Sequence, residues 1–276
     1  MYTACLISAW LVFGVIVAGN GNMAVVQDPT GSRGAPPVKR NVQISLDVDA
    51  GVLIENWEGK RLGVDFKTGK ALDEIAGARV ITHETSSTFV LPFDKSGKFY
   101  QLSIDVKSEC TANLSMTGPG FVTGFHNLSL RPREIQKLGL ASNGAALTFT
   151  SSRAGSGPQI FLTAQSARDQ PSYRFEVTTA SLDTGKTVSV STDMIGGRLL
   201  FNADDTNKVQ FSVIMRRTNP GGIRGTYQHH DISFARTNRY AMKFNSWDGK
   251  GELCFYDLCD GCEKEPCTKL KNESLK

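Results

Sequence analysis

Histidine is scarce in this chain, with four in 276 residues. His83, His126, His229 and His230 form neither H-x-x-x-H nor H-E-x-x-H, which excludes the helical zinc-hydrolase signature. A G-x-S-x-G elbow, a P-loop and a G-x-G-x-x-G fingerprint are missing too. With them go the motif-level grounds for an α/β-hydrolase, a P-loop nucleotide enzyme or a dinucleotide-binding domain. Helical periodicity is rare. Residues 131–138, RPREIQKL, read as a single turn, a short helix or an extended connection. No uncharged apolar run reaches the ~20 residues of a membrane span. The formal net charge of +4 is too small to imply nucleic acid as a partner by itself.

What the chain does have begins with Ala4–Gly19, an uncharged run whose length suits the h-region of a signal peptide. Ala18, Gly19 or Ala24 can precede a cleavage site. The start Met1-Tyr2-Thr3-Ala4 lacks Lys and Arg, so an uncleaved anchor is the alternative. Residues 1–24 are read as signal peptide or anchor, and membrane contact is expected only through them. Residues 25–40 are rich in Pro, Gly and basic side chains and read as a flexible linker.

From Val42 onward apolar residues alternate with polar ones, as half-buried strands require. Val42, Ile44, Leu46 and Val48 share one face; Tyr100, Leu102, Ile104 and Val106 share another. The pattern returns in Tyr173-Arg174-Phe175-Glu176-Val177 and Val209–Met215, and Gly, Asn, Asp or Pro fills nearly every gap. Short, evenly spaced strands predict an all-β protein of antiparallel β-sandwich modules, Ig-like or jelly-roll-like. Module one is placed at 41–130, module two at 136–256, and a cysteine-rich tail at 257–276; a single larger domain is the alternative. The expected core contains Leu46, Tyr100, Leu102, Ile104, Phe149, Phe161, Phe175, Val177, Phe211, Val213 and Trp247.

Residues 61–77, RLGVDFKTGKALDEIAG, carry Gly63, Asp65, Thr68, Gly69, Glu74, Ile75 and Gly77, followed by Ala78. They are similar to a G-x-D-x-x-T-G-x4-E-I-P-G-A segment of bacterial extracytoplasmic β-rich accessory modules, with Ala76 in place of the usual Pro. Leu91, Pro92, Gly97, Tyr100, Leu102 and Ile104 fit the strand that follows it there. Tyr240, Phe244, Trp247, Gly249, Gly251, Asp257, Asp260 and Gly261 resemble a terminal Y-x3-F-x2-W-x-G-x-G segment and the acidic D-x-x-x-D-G that follows it, with a shortened acidic spacing. The resemblance implies an accessory module of secreted or cell-surface proteins and no catalytic activity.

Cys254, Cys259, Cys262 and Cys267 lie close together near the end of the chain. In an exported chain they are expected to form structural disulfides, with pairing left open and Cys110 a further candidate. A four-thiolate zinc site is the alternative. Asp248-Gly249, Asp257 and Asp260-Gly261 are possible calcium ligands, although Asp-Gly pairs are commonly plain turns. Between Thr206 and Phe244 seven basic residues face one acid, Asp231. Arg216, Arg217, Arg224, Tyr227, Arg236 and Arg239 are the candidate ligand-binding residues of this stretch, and an anionic polymer is the matching partner. The alternative is a solvated sheet face. Asn113, Asn127 and Asn272 begin N-x-S sequons. The expectation is thus a secreted or cell-surface non-catalytic protein that binds a surface or envelope ligand or serves structure. The competing reading is a secreted hydrolase using carboxylates such as Glu55 with Glu58 or Asp73 with Glu74.

Overall fold

Alternation of side-chain character decides which face of each strand is dry. In β1 (Asn41–Leu46) Val42, Ile44 and Leu46 are buried while Asn41 and Gln43 meet solvent. A computed structural model describes residues 40–155, 157–165, 170–205, 207–222, 224–233, 239–245, 247, 249–258 and 267–275. The N-terminal segment 1–39 with its apolar run lies outside them, as do Arg236, Asp248, Cys259, Asp260, Gly261 and Cys262.

Strands dominate, and the only described helix is a 3-10 turn at Glu273–Leu275. After β1 come β2 (Gly51–Glu55), β3 (Arg61–Val64), β4 (Ala71–Asp73), β5 (Arg79–Thr82), β6 (Ser87–Pro92) and β7 (Phe99–Asp105). Six hairpins follow: β8 (Cys110–Gly118) with β9 (Phe121–Leu130), β10 (Gln136–Ala141) with β11 (Ala146–Thr150), β12 (Gln159–Gln165) with β13 (Ser172–Thr179), β14 (Thr187–Asp193) with β15 (Arg198–Ala203), β16 (Phe211–Thr218) with β17 (Arg224–Ile232), and β18 (Arg239–Lys243) with β19 (Leu253–Asp257). A short β20 (Thr268–Leu270) closes the series. Every described strand pair is antiparallel.

The strands form two packed sheets, so the chain is an all-β sandwich. Sheet A has the order β17-β16-β13-β12-β9-β8-β1-β6-β5, and sheet B the order β20-β19-β18-β15-β14-β11-β10-β7-β2-β3-β4. From β8 onward a simple rule holds. Each hairpin joins one sheet, and the next joins the other beside the hairpin already there: β9 pairs β12 and β13 pairs β16 in sheet A, while β11 pairs β14 and β15 pairs β18 in sheet B. Residues 131–135, at the expected module boundary, carry the chain from β9 in sheet A to β10 in sheet B. Both sheets run through that point, because β9 pairs β12 and β7 pairs β10. Residues 40–276 accordingly cluster as one unit.

Aromatic rings knit the two sheets together. Tyr173 and Phe175 of sheet A meet Phe244, which follows β18, at 4.7 and 4.9 Å between centroids. Phe211 meets Phe201 and Tyr240 of sheet B at 5.5 and 5.7 Å. Burying one such side chain contributes about 1.5–3 kcal/mol. All eleven expected core residues are buried. Phe161 is the one whose surroundings differ from the expectation. It stands apart from the core between the sheets, on the outer face of sheet A, and is covered by other side chains. Its neighbours Ile160 and Leu162 point inward instead.

Several residues of the 61–78 segment have local structural tasks. Asp65 closes the β3–β4 turn, accepting the Lys67 N–H at 2.9 Å, and Gly69 takes a φ of 68°. Glu74 accepts from both the backbone and the guanidinium of Arg61, and Ile75 is buried. Two of the tail cysteines join Cys254 in β19 to Cys267 just before β20, with their Cα atoms 5.4 Å apart. This disulfide removes two of the four thiolates that a tail zinc site would need. Cys110 opens β8 opposite Leu130.

Candidate functional site

Strand alternation also decides what stands on the outer face of sheet A. With Tyr173, Phe175 and Val177 inward, β13 turns Arg174 and Glu176 outward. In β16, Val213 and Met215 are inward and Arg216 outward. Register then fixes the neighbours: Arg174 lies opposite both Thr163 and Arg216, and Arg216 lies opposite Thr226. Arg174, Arg216 and Arg224 thereby line one groove of about 550 Å³. Its other wall is the β8–β9 hairpin, with Thr117, Gly118, Gly120, Phe121 and Val122. One wall is basic and the other is apolar and glycine-backed.

Glu176 sits between two of the arginines, with its side chain 11% exposed. Its Oε1 accepts from Arg174 Nε at 3.1 Å and from Arg216 Nη1, and its Oε2 accepts from Gln159 Nε2 at 3.1 Å. One carboxylate therefore orients two guanidiniums that remain about half exposed. Each keeps several of its five N–H donors for another partner. Arg224 adds a third, exposed positive charge. Behind this group the ladder continues across the sheet. Arg174 covers the Phe161 ring, its guanidinium carbon 5.2 Å from the centroid, and Phe161 stacks on His126 at 4.4 Å. His126 Nδ1 meets Asn113 Oδ1 at 3.3 Å, and Asn113 donates its N–H and Nδ2 to Asp47 at 2.6 and 2.7 Å. Burial, with the charge of Arg174 second, holds the His126 imidazole below its ordinary pKa.

Of the six candidate ligand-binding residues, Arg216 and Arg224 belong to this groove. Arg217 does not. Its Nη1 donates to the Trp247 carbonyl, and its Nε is buried with no partner among the described residues. Tyr227 is fully buried, its hydroxyl donating to Leu270 O at 3.1 Å, and burial raises its pKa. Arg239 lies on β18 in the other sheet, exposed, as Lys243 of the same strand is in part. The basic stretch is thus not one face, because alternating hairpins send β16–β17 and β18 to different sheets. Arg174 was not among the expected residues, coming as it does from β13, about forty positions before Arg216. The alternation Tyr173-Arg174-Phe175 was the signal that places it outward.

The remaining candidates have structural neighbours. His229 Nδ1 meets Lys271 O at 2.9 Å and His230 meets Gln228 at 2.6 Å, so this pair borders the C-terminal segment. Glu58 pairs with Lys60 at 3.0 Å and Glu74 with Arg61 at 3.1 Å. Among the described residues no cluster of three or more His, Cys, Asp or Glu is placed to hold a metal ion.

The C-terminal segment supports the groove from the side. Sheet A ends at β17, whose outer backbone groups would otherwise be unpaired. Residues 271–275 run beside it. Asn272 Oδ1 accepts the Gln228 N–H at 3.0 Å, and Asn272 Nδ2 donates to Thr226 O at 2.8 Å. Ser274 Oγ donates to the same oxygen at 2.9 Å, and Glu273 accepts the His230 N–H at 3.1 Å. Side chains thereby replace a partner strand along β17, and Thr226, one of the capped residues, lines the groove. Compared with protein-family models, curated proteins and solved structures, the chain matches none.

Proposed function

We propose that this is an exported, non-catalytic β-sandwich protein that holds an anionic polymer in the groove on sheet A. The observation that carries the reading is the convergence of Arg174, Arg216 and Arg224 on one groove whose lining, among the described residues, holds no carboxylate, with Glu176 beside it orienting two of the three. Guanidinium forks match carboxylate and sulfate oxygens in pairs. Export is supported by the apolar run Ala4–Gly19 and by the Cys254–Cys267 disulfide, a bond that persists in oxidising compartments. The 61–78 and 240–261 segments, similar to those of extracytoplasmic accessory modules, agree with it.

The test is retention of the full chain on immobilised polygalacturonate. Binding is expected to weaken steeply with added salt, as contacts between exposed charges do. Replacing Arg174, Arg216 and Arg224 by Gln, together with Glu176→Gln so that no buried carboxylate is left unpaired, should reduce it at least tenfold with the melting midpoint little changed. Retention indifferent to both salt and these substitutions overturns the reading. So does turnover of the polymer that is lost on changing one carboxylate.

A further inference from the structure

Resting on that reading, a second cavity, at the end of the sandwich between β9 of sheet A and β10–β11 of sheet B, says what kind of ligand the groove serves. It measures about 340 Å³ and lies at the other end of β9 and β12, between the β9–β10 and β11–β12 crossovers. Asn127, Ser129 and Arg153 line it. Arg153 arrives from the loop after β11 of sheet B, and its Nη2 donates to Ser129 Oγ at 2.7 Å. Ser129 is exposed and follows His126 along β9 on the outward side. A neutral hydroxyl thus steadies this guanidinium and leaves its charge uncancelled. Arg131, also in the lining, is held by Glu109 at 2.7 Å and adds little.

We infer that Arg153 forms a second anion subsite, and that the two cavities together are a track for an extended acidic polysaccharide. Thr163 lines the first cavity and Pro158 the second. At ~3.3 Å per extended residue they stand roughly 17 Å apart. Of the carboxylates bordering the path between them, Glu176 is neutralised by Arg174 and Arg216, while Asp47, held by the neutral Asn113, keeps its charge. A polyanion is thus held by the arginines at either end of this stretch and not along it. Val122 at the first cavity offers a contact for a sugar ring, but the stretch has no row of open aromatic faces for bases. Phe161 is 3% exposed, roofed by Arg174 and stacked on His126. That favours a polysaccharide over a single-stranded nucleic acid, which binds by stacking on such faces.

Two linked sites bind a long ligand more tightly than either binds a short one. Calorimetry of the full chain with a galacturonate trimer and a galacturonate decamer reads this directly. The decamer should bind at least tenfold more tightly per mole of ligand. Arg153→Gln should remove that advantage and leave trimer affinity unchanged. Equal affinities for trimer and decamer in the native chain overturn the second subsite while the groove reading stands. An advantage that survives Arg153→Gln in a folded variant does the same. Binding of neither oligomer brings down the groove reading and the track with it. Tighter binding of a single-stranded DNA of matching length overturns the polysaccharide assignment. Should Arg153→Gln not fold, the length dependence of the native chain decides alone.

Discussion

Asn272 takes the place of a strand residue against Thr226: its Nδ2 donates to the Thr226 carbonyl at 2.8 Å while its Oδ1 receives the next amide, Gln228 N–H, at 3.0 Å. One buried side chain thus satisfies two backbone groups on the edge of sheet A. Asn272→Ala leaves the Gln228 N–H without its acceptor, while the Thr226 carbonyl keeps Ser274 Oγ. An unpaired buried polar group costs about 1–3 kcal/mol, so a loss in that range is expected from urea unfolding. The peptide amides of β17 should also exchange faster with solvent hydrogen. Unchanged stability together with unchanged exchange would show that water replaces the amide without loss. The same geometry bears on the third sequon, since a glycan on Asn272 would replace one Nδ2 hydrogen and put a sugar on a side chain buried against β17. Material made in a glycosylating host should be unmodified there if it carries this fold.

The Cys254–Cys267 disulfide closes a short loop, and such a bridge is worth about 3 kcal/mol in the chain-entropy view. Replacing both cysteines by Ser should lower unfolding free energy by about that amount. A double variant as stable as the native chain would place the anchoring of the last residues in the Asn272 and Ser274 hydrogen bonds.

Two glycines separate steric from conformational cost. A Cβ on Gly124 would overlap the Leu114 carbonyl oxygen of the neighbouring strand, whereas a Cβ on Gly69 meets nothing within 4 Å. Gly69→Ala should therefore cost only the left-handed backbone penalty, about 1–2 kcal/mol. Gly124→Ala forces backbone apart in mid-sheet and should cost roughly 3 kcal/mol, at the upper end for overpacking. Thermal or denaturant unfolding of the two variants side by side gives the comparison, and equal losses would refute it.

His126 makes stability depend on pH. Its folded-state pKa is lowered, chiefly by burial, so below about 6.5 the unfolded chain takes up the proton first. The stabilising contribution is complete above that value and is lost as pH falls through the folded-state pKa. Denaturant midpoints at pH 7.5 and pH 5.5 should differ less in His126→Gln than in the native chain. An identical pH dependence in the two would exclude His126 as a source.

Much of the fold was legible because a period of two marks strands directly. The dry faces of β1, β7, β13 and β16 follow from Val42, Tyr100, Phe175 and Val213 with no further information. Order within the sheets was not legible. Nothing in the local pattern of β16 to β18 says that the chain changes sheet after every second strand. That change is why Arg216 and Arg239, close in sequence, are on different sheets, and why Arg174 joins Arg216 from a distance. Phe161 misled for a related reason: an aromatic in an apolar run reads as core, yet its strand parity places it outside under Arg174. The tail cysteines were readable as a group, but the bond between Cys254 and Cys267 depends on β19 pairing with β20.

The hairpin rule has a consequence for how such a chain lengthens. Each two-strand unit docks on the unit two before it, so the pattern carries no internal signal for its own length, much as in stacked repeats. Inserting four strands, one hairpin for each sheet, would add a slice to the sandwich without disturbing the slices already laid down. Residues 272–274 place their side chains along the outer edge of β17, where a further hairpin of sheet A would dock.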